Sequence, residues 1–290
     1  MGDCLEKVLG LIAGNGVFPI EIAAAATRGG FRVQAVGFQG LTRPDLSKCV
    51  ASLTWHQLGE VEPILLALRE AGVRSLVMAG KIDKIHLTGP NSSTFRADER
   101  ASAVLERLEN RTDRAVMQAV ADLLEREGFV VQPQSEYTPE LLPTAGLFGG
   151  GEPSVQQRRD LAYGWPIARR MADAGIGQCI VVKDGSVVAV EAAEGTDATI
   201  RRALDLTCGG ITVIKLAARD HDPRFDMPAV GPETIRPLLE GAPSLLAIEA
   251  GKTLVLERAE MRELASAQQT SLLSVGQADE VSWNLAEGSI

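Results

Sequence analysis

The opening of the chain commits it to a particular kind of sheet. Lys7-Val8-Leu9-Gly10-Leu11-Ile12 reads as a short apolar strand, and Ala13-Gly14-Asn15-Gly16-Val17-Phe18-Pro19 as a tight turn leaving it. Proline fixes φ and lacks an N–H, so Pro19 suits the first turn of a helix, and the alanine-rich run from Ile20 to Thr27 continues it. Gly29-Gly30 ends that helix, and Phe31 to Gly37 is a second strand. Strand, glycine turn, helix and strand in that order open a Rossmann-like α/β fold with a mostly parallel sheet.

The same alternation continues. A helix from Val61 to Ala71 leads to the strand Ser75 to Ala79, followed by Gly80-Lys81. Asp98 to Glu127 reads as helix with a break near Asn110-Arg111-Thr112-Asp113, and Phe129-Val130-Val131 as a closing strand. Composition then changes: Pro139, Pro143, Gly146, Gly149, Gly150, Gly151 and Pro153 punctuate one stretch. This predicts an N-terminal domain over 1–138, a linker over 139–153 and a C-terminal mixed α/β domain over 154–290. The second half begins with a helix from about Arg158 to Ala174. Asp184-Gly185 between the β-branched runs Gln178–Val182 and Val187–Glu191 is a hairpin signal. A helix from Thr196 to Leu206 precedes the buried strand Ile211 to Ala217. Leu245–Glu249 and Thr253–Leu256 read as strands, and Arg258–Ala267 as a helix.

Net charge is −9, which argues against unspecific nucleic-acid binding. The four cysteines, Cys4, Cys49, Cys179 and Cys208, form no Cys-x-x-Cys pair. Buried thiols in a reducing cytoplasm are the plain reading, and zinc a weak one. No signal peptide is read ahead of the first strand, and no apolar run approaches the ~18 residues of a membrane span. A cytoplasmic protein is expected, with peripheral contact to a membrane face left open.

The densest chemistry lies in Asp220-His221-Asp222-Pro223-Arg224-Phe225-Asp226-Met227-Pro228, directly after a buried strand. The prolines make it a loop, and loops at strand ends are where α/β folds place function. Carboxylates there can hold Mg²⁺ or Mn²⁺ and orient water, and Arg224 can clamp a phosphate. A solvated acidic turn is the plain alternative. Glu191-Ala192-Ala193-Glu194-Gly195-Thr196-Asp197 is a second acidic cluster. Thr196 as an N-cap and Asp197 in the first helical turn account for two of its residues structurally. Glu191 and Glu194 are expected near the same strand end as the charged loop. Gly14-Asn15-Gly16 can bring N–H groups to a phosphate, or be a bare turn. It lacks the third glycine of a dinucleotide fingerprint, and Gly37-Phe38-Gln39-Gly40 lacks the acidic residue that would follow the second strand. Lys81 at a strand end can meet an anion, though a solvated lysine is the plain reading. His56, His86 and His221 show no metal-ligand spacing.

Together these segments resemble the LpxI family, the UDP-2,3-diacylglucosamine pyrophosphatases of lipid A biosynthesis, over nearly the whole chain. The resemblance runs through Leu9 to Pro19, Leu58-Gly59, Ala71-Gly72-Val73, Ala79-Gly80-Lys81 and Glu127-Gly128-Phe129. It is most specific at Val190–Ala198, Asp222–Pro232 and Glu249-Ala250-Gly251-Lys252-Thr253. It implies two α/β domains with the substrate between them, a homodimer, and Mg²⁺-dependent cleavage of the pyrophosphate to UMP and 2,3-diacylglucosamine 1-phosphate. On this reading Asp222 and Asp226 supply a metal ligand and a water-orienting base, in either assignment. Glu194 and Asp197 are further metal candidates. Lys81, Lys215 and Arg224 hold phosphate oxygens, and Gly14, Asn15, Gly16, Gly80, Glu191 and Thr196 face the substrate. The chain departs from the family where Lys-Pro and Gln-Asp are expected and Ala218-Arg219-Asp220-His221-Asp222 stands. Arg219 is then expected to supply the missing positive charge, although Arg and Lys hold phosphate differently. His221 would supply glutamine's hydrogen bond. Two other readings stay open: a nucleotide-cofactor oxidoreductase using the glycine turn, and a nucleotide–lipid binder without catalysis.

Overall fold

The computed structural model describes residues 7–82, 97–108 and 112–277. Cys4, His86 and the break expected at Asn110-Arg111 lie outside the described residues. Two compact units are present. One comprises Met1–Pro139 and Pro223–Phe225, the other Glu140–Asp222 and Asp226–Ile290.

The first unit carries a parallel sheet. Its elements are β1 (Val8–Ala13), α1 (Phe18–Arg28), β2 (Arg32–Phe38), β3 (Ser52–His56), α2 (Val61–Glu70), β4 (Ser75–Ala79), α3 (Glu99–Glu106), α4 (Asp113–Arg126) and β5 (Val130–Val131). The strand order is β3-β2-β1-β4-β5, every pair parallel. Leu9, Leu11, Leu76 and Val77 are fully buried, as expected of central parallel strands covered on both faces. β3 was not foreseen. It is an edge strand whose Ser52, Thr54 and Trp55 are exposed, so it has no apolar run to announce it.

Strand order reverses between β1 and β4, and there two glycine turns interlock. Gly14 N–H donates to Ala79 O at 2.8 Å, Asn15 N–H to Lys81 O at 2.9 Å, and Lys81 N–H to Asn15 O at 2.9 Å. A side chain at Gly80 would place Cβ 2.6 Å from Asn15 O, and φ there is +89°. At Gly14 a Cβ would sit 2.8 Å from Lys81 O. The glycines let two backbones touch.

The second unit contains β6 (Gly146–Gly149), α5 (Val155–Asp173), β7 (Cys179–Lys183), β8 (Ser186–Val190), α6 (Thr196–Thr207), β9 (Thr212–Lys215), β10 (Ala229–Val230), α7 (Pro232–Ile235), β11 (Leu245–Glu249), β12 (Leu254–Val255), α8 (Arg258–Ala267) and β13 (Ser271–Val275). Its sheet runs β6-β13-β11-β9-β7-β8. β13, β11 and β9 are parallel; β6, β7 and β8 run antiparallel to their neighbours. Residues 139–153, expected as a linker, contain β6, which pairs with β13 at the sheet edge. Side chains alternate along β7: Val181 faces a core with Val213, Leu246 and Met261, while Ile180 and Val182 face one with Trp165, Ile214 and Ala247. The Asp184-Gly185 hairpin turn has φ of 50° and 73°, as its sequence requires.

Substituting Gly80 should therefore be costly. Gly80→Ala combines a left-handed backbone with a backbone clash, together about 2–4 kcal/mol. Gly72→Ala, whose Cβ meets nothing within 4 Å, should cost about 1–2 kcal/mol from its backbone alone. Denaturant midpoints of the two variants check the difference.

Candidate functional site

The reversal of β7 builds the site of the second unit. Cys179 at the start of β7 pairs with Lys215 at the end of β9, and Glu191 N–H donates to Cys179 O at 2.9 Å. The end of β8, the start of β7 and the end of β9 therefore share one edge of the sheet, beside the first turn of α6.

Side chains there are linked by hydrogen bonds into a chain that passes through the Gln178 backbone N–H. Lys215 Nζ donates to Thr196 Oγ1 at 2.8 Å, and the Thr196 hydroxyl donates to Glu191 Oε1 at 3.0 Å. Glu191 Oε2 accepts the Gln178 N–H at 3.2 Å, and Gln178 Nε2 donates to Asp226 Oδ1 at 3.2 Å. Asp226 N–H in turn donates to Asp222 O at 2.8 Å, closing one turn that carries both loop carboxylates. Lys215 and Thr196 are buried, while Glu191, Gln178, Asp222 and Asp226 are half-buried. A buried ammonium needs a compensating partner, and Glu191 supplies it through a shared hydroxyl.

Two expectations change here. Thr196 is not the helix cap: Gly195, with φ of 83°, takes that position, and Thr196 is the first helical residue. Its hydroxyl is thereby turned to Lys215 and Glu191. Glu194 does not join Glu191. Its carboxylate binds Arg202 Nη2 at 2.6 Å on an exposed face, and also accepts the Ala192 N–H. Its own backbone N–H first, then Arg202, hold that carboxyl below its ordinary range against the cost of burial. Gln178 was missed altogether. It precedes an apolar strand, and nothing in its neighbours marks it.

The remaining candidates are placed as follows. Asp197 lies in the first turn of α6, and its charge, like those of Glu191 and Lys215, is felt by the Cys179 thiol. Burial is the main force pushing that thiol up. Arg224 belongs to the first unit, with Nη1 on Glu125 Oε1 at 2.6 Å. Arg219, expected to offer a charge, binds Asp173 Oδ2 at 2.7 Å. His221 Nδ1 lies 2.9 Å from Ala218 O. In the first unit, the N–H groups of Gly14, Asn15 and Gly16 are engaged: Gly16 N–H donates to Asn15 Oδ1 at 2.8 Å, Gly14 N–H to Ala79 O and Asn15 N–H to Lys81 O. The turn is thus tied to its neighbour rather than presenting those three donors as an anion cradle. Lys81 is exposed. Among the described residues no group of three or more His, Cys, Asp or Glu side chains could hold a metal ion.

Beneath the site lies a buried ion pair. Arg169 Nη2 meets Glu249 Oε1 at 2.8 Å, with side-chain exposures of 3% and 9%, and Lys252 Nζ is 2.9 Å from the same oxygen. Burial pushes the Glu249 carboxyl up, but the hydrogen bonds from Arg169 and Lys252 outweigh it and hold the group below its ordinary 4.5.

The LpxI N-terminal domain family matches residues 8–141 and the LpxI C-terminal domain family residues 144–273. The UDP-2,3-diacylglucosamine pyrophosphatase LpxI of Caulobacter vibrioides is 30% identical over 281 residues, covering 93% of this chain and 97% of that protein. Leucoanthocyanidin reductase with NADPH from Vitis vinifera is 10% identical, covering 98% of this chain and 82% of its own, at a TM-score of 0.28. AnUbiX (PadA1) with FMN and dimethylallyl pyrophosphate is 11% identical, covering 46% and 78%, at a TM-score of 0.25.

The Glu249 pair makes a pH prediction. A carboxyl depressed in the folded state stabilises fully above its unfolded value of 4.5, and that contribution is lost as pH falls through the folded value. Glu249→Gln leaves Arg169 buried without its charge and should cost roughly 3–5 kcal/mol at neutral pH. The gap in Tm between parent and variant should narrow below pH 4.5. A gap that is constant across pH would contradict the assignment.

Proposed function

The chain belongs to the LpxI family, and from that membership we propose that it hydrolyses the pyrophosphate of UDP-2,3-diacylglucosamine to UMP and 2,3-diacylglucosamine 1-phosphate, in lipid A biosynthesis. It is a pyrophosphate hydrolase. The observation that carries the mechanism is the chain from Lys215 through Thr196, Glu191 and Gln178 to Asp226.

Hydrolysis needs a water aimed at phosphorus, a group to take its proton, and cations for the charge on the phosphoryl oxygens. Gln178 fixes the orientation of the Asp226 carboxylate, which suits it to orient water and accept the proton. Asp222, on the same turn, is the companion carboxylate. Lys215 spends one of its three donors on Thr196 and can direct others to a phosphate oxygen. Arg224 and Lys81 are further phosphate ligands in this reading. Gly14, Asn15, Gly16 and Gly80 shape the wall for the nucleotide through their packing, because three of their N–H groups are engaged.

The reading includes Mg²⁺ brought together with substrate. That ion, or Mn²⁺, takes one or two carboxylates and completes its shell with phosphate oxygens and water. Asp222 and Asp226 would hold it, with Asp197 as a further carboxylate. When bound, it would neutralise charge on the pyrophosphate oxygens. Among the described residues no helix is long and apolar enough to cross a membrane. We place the enzyme in the cytoplasm as a homodimer, touching the inner membrane face peripherally to reach its acylated substrate.

Purified protein incubated with UDP-2,3-diacylglucosamine and Mg²⁺ should release UMP, and a preparation that releases none would overturn the reading. Asp226→Ala should lower kcat by about 10²–10⁴-fold. It should leave the fold and much of the substrate affinity in place, as read by circular dichroism and direct binding; a folded variant with parental kcat would remove Asp226 from its role. Exhaustive chelation should stop turnover, and restored Mg²⁺ should return it. Full activity in chelator would exclude the metal.

A further inference from the structure

The backbone leading to the two loop carboxylates is fixed almost group by group. Leu216 N–H donates to Gln178 O at 3.0 Å, and Ala217 O accepts Arg169 Nη1 at 2.5 Å. Ala218 O accepts the His221 N–H at 3.2 Å, and Arg219 N–H donates to Asp173 Oδ1 at 2.9 Å. Two of these anchors come from one helix. Arg169 and Asp173 stand four residues apart at the end of α5, on one face of its last turn.

The two anchors differ in kind. Arg169 is buried and locked to Glu249 by both terminal nitrogens, at 3.2 and 2.8 Å, so the oxygen of Ala217 is tied to a rigid point. Asp173 is an exposed residue whose side chain, itself 29% exposed, grips both the backbone N–H and the guanidinium of Arg219. A carboxylate at the last residue of a helix is disfavoured by the helix dipole. A solvent-facing ion pair adds little to stability. Neither term explains Asp173. A charged acceptor for a loop N–H three residues ahead of Asp222 does.

We propose that Arg169 and Asp173 are positioning residues, a clamp from α5 that sets the Asp222–Asp226 turn in register for hydrolysis without touching substrate. The inference rests on the hydrolase reading above. A misplacement of ~1 Å at a reacting group can cost about 10²-fold in rate, so a clamp of this kind acts on kcat.

The test compares Asp173→Ala and Asp173→Asn in the full chain, because an Arg169 variant disturbs a buried pair and can fail to fold. Asp173→Ala should lower kcat for UMP release by roughly 10- to 100-fold, leave KM nearly unchanged and leave Tm at or above the parental value. Asp173→Asn keeps an oxygen for the Arg219 N–H and should recover most of the lost rate. Hydrogen exchange of the amides in 216–226 should quicken in Asp173→Ala and stay near parental in Asp173→Asn. Parental kcat in Asp173→Ala, or unchanged exchange there, overturns the clamp. A parent that releases no UMP overturns the hydrolase reading instead, and the exchange measurement still decides whether the clamp holds the loop.

Discussion

Cys179 pairs with Lys215 across an antiparallel ladder in an otherwise largely parallel sheet, and the site depends on that reversal. Parallel strands deliver their carboxyl ends to one edge, which is where α/β folds gather ligands. β9 and β11 do so with Lys215 and Glu249. Because β7 runs the other way, its amino end arrives at the same edge and brings Gln178. β8 turns back once more and delivers Glu191. Had β7 run parallel, Gln178 would sit about 16 Å away, the length of a five-residue strand.

The charges at that edge are arranged so that each buried group has a partner. Lys215 reaches Glu191 through Thr196, and Glu191 also accepts a backbone N–H from Gln178. Deeper down, Arg169 and Glu249 neutralise each other. Such buried pairs are weak evidence for stability, since their desolvation offsets much of their attraction. Their value here is geometric. The Arg169 guanidinium holds both a strand-end carboxylate and the carbonyl of Ala217, at the root of the loop that carries Asp222 and Asp226.

Local chemistry made much of this legible in the sequence. Pro19 at the start of a helix, Asp184-Gly185 as a hairpin turn, and the proline-bounded acidic stretch as a loop each stand where local chemistry puts them. What escaped was set by tertiary pairing. β3, β6 and β13 are edge or partly polar strands, and β6 is glycine-rich, so no period marks them. Thr196 fits a cap by residue type, yet Gly195 can adopt a backbone that Thr cannot easily reach, and this frees the hydroxyl for Lys215. Glu191 and Glu194 look equivalent in sequence; a nearby Arg202 takes one and the Lys215 network the other. Gln178 and Asp173 are ordinary polar residues until the direction of β7 and the end of α5 are known.

The central claim is that the hydrogen-bonded groups from Lys215 to Asp226, joined through Gln178 by its backbone N–H and its side-chain amide, act as one connected unit in hydrolysis. A double-mutant cycle on kcat, using Gln178→Met, Thr196→Val and the pair of them, tests it most directly. Each single change should slow UMP release, and the double variant should lose less than the product of the two, with a coupling of about 0.5–3 kcal/mol. Strictly multiplicative losses, or a parental kcat in either single variant, would contradict it.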